Sequence, residues 1–195
     1  MYKVDIAIPN YNYGQYLREC VDSVFSQNVD GIRVLIIDNA STDNSLSVME
    51  ELTAKYNNIY LDIRPVNMGM HASFNKSIDW AQSDYFTILH ADDVLADGAL
   101  ARAIDFLDNN LNVLMCYGDT VEVGSTKRLE TDESRWFSQS GDDFILKRCQ
   151  TGQNTVRCVG TVVRTQAQKQ VGYYDSRETS NNADVGYGLA AAAQS

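Results

Sequence analysis

The chain has 195 residues, 44% of them hydrophobic, with a formal net charge of −10 and a pI near 4.5. That length suits one domain with a sizeable core. The acidic balance argues against general binding to nucleic acid or to an anionic membrane, while leaving room for a local phosphate site.

No apolar run approaches the roughly 18 residues of a membrane span. The opening Met1-Tyr2-Lys3-Val4-Asp5 meets charge too early for a signal-peptide core. Cys20, Cys116, Cys149 and Cys158 lack close paired spacing. They read as free thiols in a reducing cytoplasm rather than as a zinc site or a disulfide framework.

Tyr2–Pro9 alternates and then runs apolar through Val4, Ile6, Ala7 and Ile8, which predicts a first strand stopped by Pro9-Asn10. The polar and aromatic turn Asn10-Tyr11-Asn12-Tyr13-Gly14 follows. Its tyrosines either pack the loop or offer a platform to a flat heterocycle, because Tyr joins an apolar face to a polar tip. Leu17, Cys20, Val21, Val24 and Phe25 share one face of a helix over 16–27. Arg33–Ile37 is a second buried strand, ending in Asp38-Asn39-Ala40-Ser41-Thr42-Asp43. An acidic residue closing a second strand can accept hydrogen bonds from a ribose or a base. Ser41 or Asp43 is the expected N-cap of a helix over 46–56. A short strand over 59–63, a loop Arg64–Gly69 and a helix over 71–81 come next. The glycine before that helix permits close backbone approach, and the helix start can favour an anion.

Tyr85–Asp93 organises the rest. Apolar residues Tyr-Phe-Thr-Ile-Leu predict a buried strand that delivers His90, Asp92 and Asp93 at its carboxyl end. Ligands of open α/β sheets sit beyond such ends. Neighbouring carboxylates repel unless a cation compensates, and hard divalent cations take carboxylate oxygens beside substrate phosphates. One reading is therefore a metal–diphosphate site. The other is Asp92 or Asp93 as N-cap of the following helix, expected over 98–107. An apolar strand over 113–117 follows. Four or more strand–helix units predict a mostly parallel α/β sheet with helices on both faces.

After Gly118 the regularity fades. Residues 121–139 read as a surface segment or lid, Phe144–Cys149 as a helix, Thr155–Val163 as a strand and Gly172-Tyr173-Tyr174-Asp175 as a turn. Ser180–Asp184 forms a polar approach to a last helix. The Ala-rich end matches no familiar boundary, so a truncated or irregular C-terminal part is expected. Residues 1–119 are read as one α/β half and 120–195 as a second segment of the same domain.

Four motifs agree in order and spacing with one family. These are Ala7-Ile8-Pro9-Asn10-Tyr11-Asn12, Ile37-Asp38-Asn39-Ala40-Ser41-Thr42-Asp43, Asn67-Met68-Gly69 and His90-Ala91-Asp92-Asp93. The chain closely resembles the family 2 glycosyltransferases from about residue 3 to about residue 110, and more weakly through Val171–Asp175 to Asp184. The resemblance implies a GT-A, Rossmann-like fold. It also implies a nucleotide-sugar donor, Mn²⁺ or Mg²⁺, and transfer to a saccharide or lipid-linked acceptor with inversion. An acceptor carried on lipid would draw a cytoplasmic protein to the inner face of the membrane. Pro9, Asn10 and Tyr11 would then line the base pocket, with Asp38 holding the base. Asn67, Gly69, His90 and Ala91 would sit along the nucleotide, and Asp92 would be the metal-ligating carboxylate.

Two departures stand out. His90 occupies the place of the motif's usual first Asp. It can hydrogen-bond ribose, ligate a metal with a bias to Mn²⁺, or be a satisfied buried histidine. Phe74 stands where many members carry an Arg near the phosphates. Asp184 is the expected general base, with helix capping as its alternative and Asp175 as runner-up.

Competing readings are a sugar nucleotidyltransferase, a dinucleotide oxidoreductase and a non-catalytic sugar-nucleotide-binding domain. The first needs a Gly-rich basic loop after the first strand, and the second a Gly-x-Gly-x-x-Gly there. Pro9–Gly14 supplies neither.

Overall fold

The computed structural model describes residues 2–122, 136–152, 156 and 159–174. Among them the chain runs β1 (Val4–Asn10), α1 (Gly14–Phe25), β2 (Ile32–Asp38), α2 (Ser45–Lys55), β3 (Ile59–Ile63) and α3 (Met70–Trp80). It continues with β4 (Tyr85–Ile88), α4 (Ala99–Asn109), β5 (Met115–Tyr117), α5 (Gly141–Thr151), β6 (Thr161–Arg164) and α6 (Thr165–Val171). The strands form one sheet in the order β3-β2-β1-β4-β6-β5. β1 pairs in parallel with both β2 and β4, and β2 with β3. This is the expected mostly parallel sheet.

Alternate residues of each strand point to opposite faces, and each face has its own helices. Val4, Ile6 and Ile8 join Val34 and Ile36 against Leu17 and Val21 of α1, Val48 and Leu52 of α2, and Leu100 and Leu107 of α4. Ala7, Phe86 and Ile88 face the other way, onto Phe74 and Ile78 of α3. Burial on both faces explains why β1 and β2 read as nearly continuous apolar runs.

Several boundaries differ from expectation. Of the strand expected over Thr155–Val163, the described extended part begins at Thr161 and runs on to Arg164, while Thr155, Arg157 and Cys158 lie outside the described residues. It inserts antiparallel between β4 and β5, so β5 is not the neighbour of β4. From the segment after residue 119, β6 is therefore built into the same sheet. α6 follows β6 at once, where the sequence Thr-Gln-Ala-Gln-Lys-Gln-Val carries too few apolar residues to show a helical period. The helix expected over 144–149 is longer because Ser140 caps it, its hydroxyl accepting the Asp143 N–H at 3.1 Å. Neither Asp92 nor Asp93 caps α4, which starts at Ala99 behind a left-handed Gly98. Ser41 does not cap α2 either. Asp43 does the work from outside the first turn, accepting the Ser45 N–H at 3.0 Å. No helix among the described residues is long and apolar enough to cross a membrane.

The amino-terminal end of the sheet is locked by Asp5, which is fully buried. Its carboxylate accepts Arg33 Nε and Nη2, both at 2.7 Å, from the residue opposite it on β2. It also accepts the Gln82 and Ser83 N–H groups at 2.6 and 2.9 Å, just ahead of β4. Burial pushes this carboxyl's pKa up, but the Arg33 pair and the Gln82 and Ser83 donors outweigh it and hold the pKa below the usual value. A carboxyl whose folded pKa is lowered adds stability above its unfolded pKa and loses it as pH falls through the folded one. The thermal midpoint should therefore fall steeply with acid below about pH 4. Asp5→Asn should cost roughly 3–5 kcal/mol at neutral pH, because Arg33 is left uncompensated, and should flatten that acid limb. Calorimetric unfolding between pH 2 and 7 measures both.

Candidate active site

β1 sits between β2 and β4, and the chain reverses its direction of winding there, first toward β3 and then toward β5. In such a sheet the crevice opens beyond the carboxyl ends of the strands at the point of reversal. The loops after β1, β2 and β4 meet there. They carry three of the four sequence motifs, and the remaining one, Asn67-Met68-Gly69, follows β3 on the same side.

The loops after β1 and β2 are tied by buried polar groups. Asn10 is 2% exposed and Asp38 is 1% exposed. Asn10 Nδ2 donates to Asp38 Oδ1 at 2.9 Å, with Ser45 Oγ at 3.0 Å and Ser41 Oγ at 3.2 Å sharing the same amide. Asp38 Oδ2 accepts the Ser41 N–H at 3.0 Å. Asn12 reaches across to accept the Thr42 N–H at 2.7 Å. Gly14 donates its N–H to Asp43 Oδ2 at 2.9 Å. A Cβ on Gly14 would lie 2.4 Å from Asn44 Oδ1 and 2.7 Å from Ser45 N, so only glycine lets α1 approach α2 this closely. Each carboxylate oxygen of Asp38 thus accepts a hydrogen bond from within the protein. Pro9 is half-buried at the end of β1, and Tyr11 stands exposed beyond it.

The third motif is anchored to the second. Asn39 Nδ2 donates to Asn67 Oδ1 at 2.7 Å, and Asn39 Oδ1 accepts the Met68 N–H at 2.9 Å. Gly69 then turns with φ +83° and opens α3, a conformation that favours glycine. Arg64, which sequence reasoning left in a loop, is buried beneath this turn. Its guanidinium donates to Ser73 Oγ and to the Ala72 carbonyl, both at 3.2 Å, and pairs with Asp62 at 3.4 Å. Nothing local in Arg-Pro-Val marks it out, since Ser73 and Ala72 lie on the next helix and Asp62 alone is close in sequence.

The fourth motif forms an acidic cluster. One donor atom each from His90, Asp92 and Asp93 lies within 4.8 Å of the others. His90 Nδ1 is 3.7 Å from Asp93 Oδ2, and its Nε2 is covered without a hydrogen-bond partner. His90 is thus not a satisfied core histidine. Its ring stacks on Phe74, with centroids 5.9 Å apart and planes 12° apart. Phe74 is buried, so the residue standing where an Arg is common packs under the motif and supplies no charge. Burial pushes the Asp93 carboxyl's pKa up, His90 opposes this and the Asp92 charge adds to it. Ala91 is buried while Asp92 is exposed at the crevice.

Helix α1 carries the acidic loop. Cys20 Sγ donates to the His90 carbonyl at 3.4 Å, and Ser23 Oγ accepts the Leu95 N–H at 3.0 Å. Gln27, fully buried, donates to the Ala96 carbonyl at 3.1 Å and accepts the Leu100 N–H at 2.9 Å. A glutamine at a helix end carries no sequence signal for this role. A groove of about 410 Å³ between α1 and α2, lined by Gln15, Arg18, Asp22 and Val48, includes none of the cluster. The expected base Asp184 and its runner-up Asp175 lie outside the described residues.

The abequosyltransferase RfbV of Salmonella typhimurium is 33% identical over 159 residues, covering 75% of this chain and 47% of that protein. The poly(ribitol-phosphate) beta-glucosyltransferase of Bacillus spizizenii is 32% identical over 111 residues, 55% of this chain and 18% of that one. S. aureus TarS in complex with UDP-GlcNAc superposes with a TM-score of 0.71 at 20% identity, covering 97% of this chain and 53% of that one, a likeness of fold. The chain spans about half the length of the first relatives it matches, 46% to 48%. The profile of glycosyl transferase family 2 matches residues 5–167, and the chain belongs to that family.

Proposed function

We propose that this chain is the donor-binding and catalytic part of an inverting glycosyltransferase. It takes a sugar from a nucleotide-diphosphate donor, UDP- or dTDP-linked, to a saccharide or lipid-linked acceptor. The observation that carries this is the acidic cluster His90, Asp92 and Asp93 set at the β1/β4 reversal, beside the tied loops of Asn10 and Asp38. Family membership and the glycosyltransferase names of the relatives support the reaction class.

The cluster suits a divalent cation. It offers an imidazole nitrogen with two carboxylates, Asp92 among them exposed at the crevice. That donor set favours Mn²⁺ over Mg²⁺. A neighbour of similar fold was solved with GDP-Man and Mn²⁺. Bound there by His90 and Asp92, the ion would neutralise negative charge on the diphosphate as the sugar leaves. The chain's own residues do the rest. Asn10 and Asp38 read the base, and the N–H groups of the first turn of α3, behind Gly69, approach the diphosphate. Asp184 takes the acceptor proton on the face opposite the leaving group. A carboxylate accepts but does not donate, so Asp38 suits the ring N–H of uracil or thymine and disfavours cytosine, whose equivalent nitrogen is an acceptor.

Calorimetry of UDP with and without Mn²⁺ tests the metal site. Asp92→Asn should weaken UDP binding by roughly 1.5–3 kcal/mol, about ten- to hundredfold, and abolish most of the Mn²⁺ dependence. Unchanged affinity with unchanged metal dependence would remove Asp92 from the site. Asp38→Asn should narrow the preference for UDP over CDP by about tenfold or more, since an amide can offer a donor to cytosine. Equal losses for both nucleotides, together with a lower thermal midpoint, would make Asp38 a loop anchor only. Asp184→Asn should leave UDP affinity unchanged and reduce turnover roughly 10²–10⁴-fold, because an amide cannot take the proton. Turnover within a few-fold of the parent would reject it as the base.

A further inference from the structure

Helix α4 begins without a cap of its own. Its N-cap residue is Gly98, left-handed at φ +67°, with no side chain to accept the first N–H groups. Three acids stand just ahead of it, Asp92, Asp93 and Asp97, and aspartate is among the best capping residues. The Leu100 N–H, second in the helix, goes to none of them. Its acceptor is Gln27 Oε1 at 2.9 Å, just past the end of α1 and 73 positions back in the chain. Gln27 Nε2 donates to the Ala96 carbonyl at 3.1 Å and to the Ser23 carbonyl at 3.0 Å. One fully buried amide therefore serves two helix ends, a terminal carbonyl of α1 and a terminal N–H of α4. Cys20 and Ser23, one turn apart on α1, add two contacts. Ser23 Oγ accepts the Leu95 N–H, and Cys20 Sγ donates to the His90 carbonyl. That carbonyl also accepts the Asp93 N–H at 3.0 Å, which closes the turn over residues 90–93. The segment bearing the cluster is thus fixed on both sides of Asp92 and Asp93, at His90 before them and at Leu95, Ala96 and Leu100 after them.

We propose that Gln27 is a positioning residue for the cation site: it caps α4 from α1, and so leaves Asp92 and Asp93 free to hold a cation with His90. This deepens the cation reading above and rests on it. Gln27 itself touches no reacting group. A helix start without an acceptor leaves buried N–H groups unsatisfied, and an aspartate upstream would answer that need. A carboxylate drawn into that role is lost to the cluster, whose three donor atoms now lie within 4.8 Å of one another. A glutamine reaching in from another helix does the capping instead. It adds no charge beside a site that already holds two carboxylates, and its amide supplies the donor for Ala96 that a carboxylate lacks.

The test uses the full chain with Gln27→Met, which keeps the volume and removes all three hydrogen bonds, and Gln27→Glu, which keeps an acceptor for Leu100. Gln15→Met, at an exposed site on α1, is the control. Three quantities are read: amide hydrogen exchange, UDP affinity without metal, and the Mn²⁺ concentration at which half of the metal-dependent gain in UDP affinity is reached. Gln27→Met should lose protection at Leu95 and Leu100 while β1, β2 and β4 keep theirs. Its metal-free UDP affinity should stay within about twofold, and its Mn²⁺ midpoint should rise roughly 10- to 100-fold, the scale seen when groups that hold metal ligands in place are removed. Gln27→Glu should recover most of that shift, because a carboxylate also serves a helix start. Should Gln27→Met not fold, Gln27→Asn, one methylene too short for the same reach, gives the same three readings. An unchanged Mn²⁺ midpoint, a fall in metal-free affinity with protection lost across the sheet, no recovery in Gln27→Glu, or an equal shift in Gln15→Met would each overturn the proposal. A parent whose UDP affinity ignores Mn²⁺ would remove the cation reading and this proposal with it. A parent that responds to Mn²⁺ beside a Gln27→Met that responds equally would remove the proposal alone.

Discussion

The site depends on one buried contact, Asn10 to Asp38, across the ends of two parallel strands. Both side chains are almost wholly excluded from water. A buried carboxylate without hydrogen bonds would cost several kcal/mol, so Asp38 must find donors inside the protein. Asn10 supplies one and the Ser41 N–H the other. To present that N–H the loop places Ala40 at φ 64°, and the facing loop places Asn12 at φ 59°. Such conformations cost on the order of 1–2 kcal/mol for a residue with a side chain. They persist because the carboxylate, Asn12, Asp43 and the glycine contact at Gly14 all fix the same geometry. The two loops are thus held in one geometry before any ligand arrives, which would keep low the entropic cost of binding between them.

The acidic cluster shows the opposite economy. His90, Asp92 and Asp93 stand together, while the nearby cation Arg64 is spent on Ser73, Ala72 and Asp62. The position where relatives commonly place an arginine holds Phe74, stacked under His90. The two departures from the family pattern are thus in contact. Here the two positions hold an imidazole ring stacked on a buried phenyl ring.

Much of this was legible in the sequence, and the reason is local. β1, β2 and β4 are buried on both faces, so they read as apolar runs, and each run stops at the polar residues that line the crevice. What was not legible depends on distant partners. β6 is four residues long and finds its place only by pairing with β4 and β5, far back in the chain. Gln27, Arg64 and Asp5 look like ordinary surface residues until the helix or strand that satisfies them is in place. The reading of Asp92 and Asp93 as helix caps failed for the same reason. α1 holds the loop over residues 91–98 open through Cys20, Ser23 and Gln27, and the helix begins only after Gly98.

The two ends of the sheet divide stability from chemistry. At the amino-terminal end Asp5 collects five donor contacts from Arg33, Gln82 and Ser83, and its charge is fully compensated. At the carboxyl end the accounts stay open. Among the described residues four buried side-chain atoms lack a partner, and three of them, Asn10 Oδ1, His71 Nε2 and His90 Nε2, lie on that side, Thr165 Oγ1 being the exception. Native proteins leave few such atoms, so a cluster of them asks for a reason beyond packing. A carboxyl held up by burial and by a like charge, beside an imidazole nitrogen with no partner, is an arrangement that costs the empty protein something. It is tolerable because the opposite end of the same strands is so firmly tied.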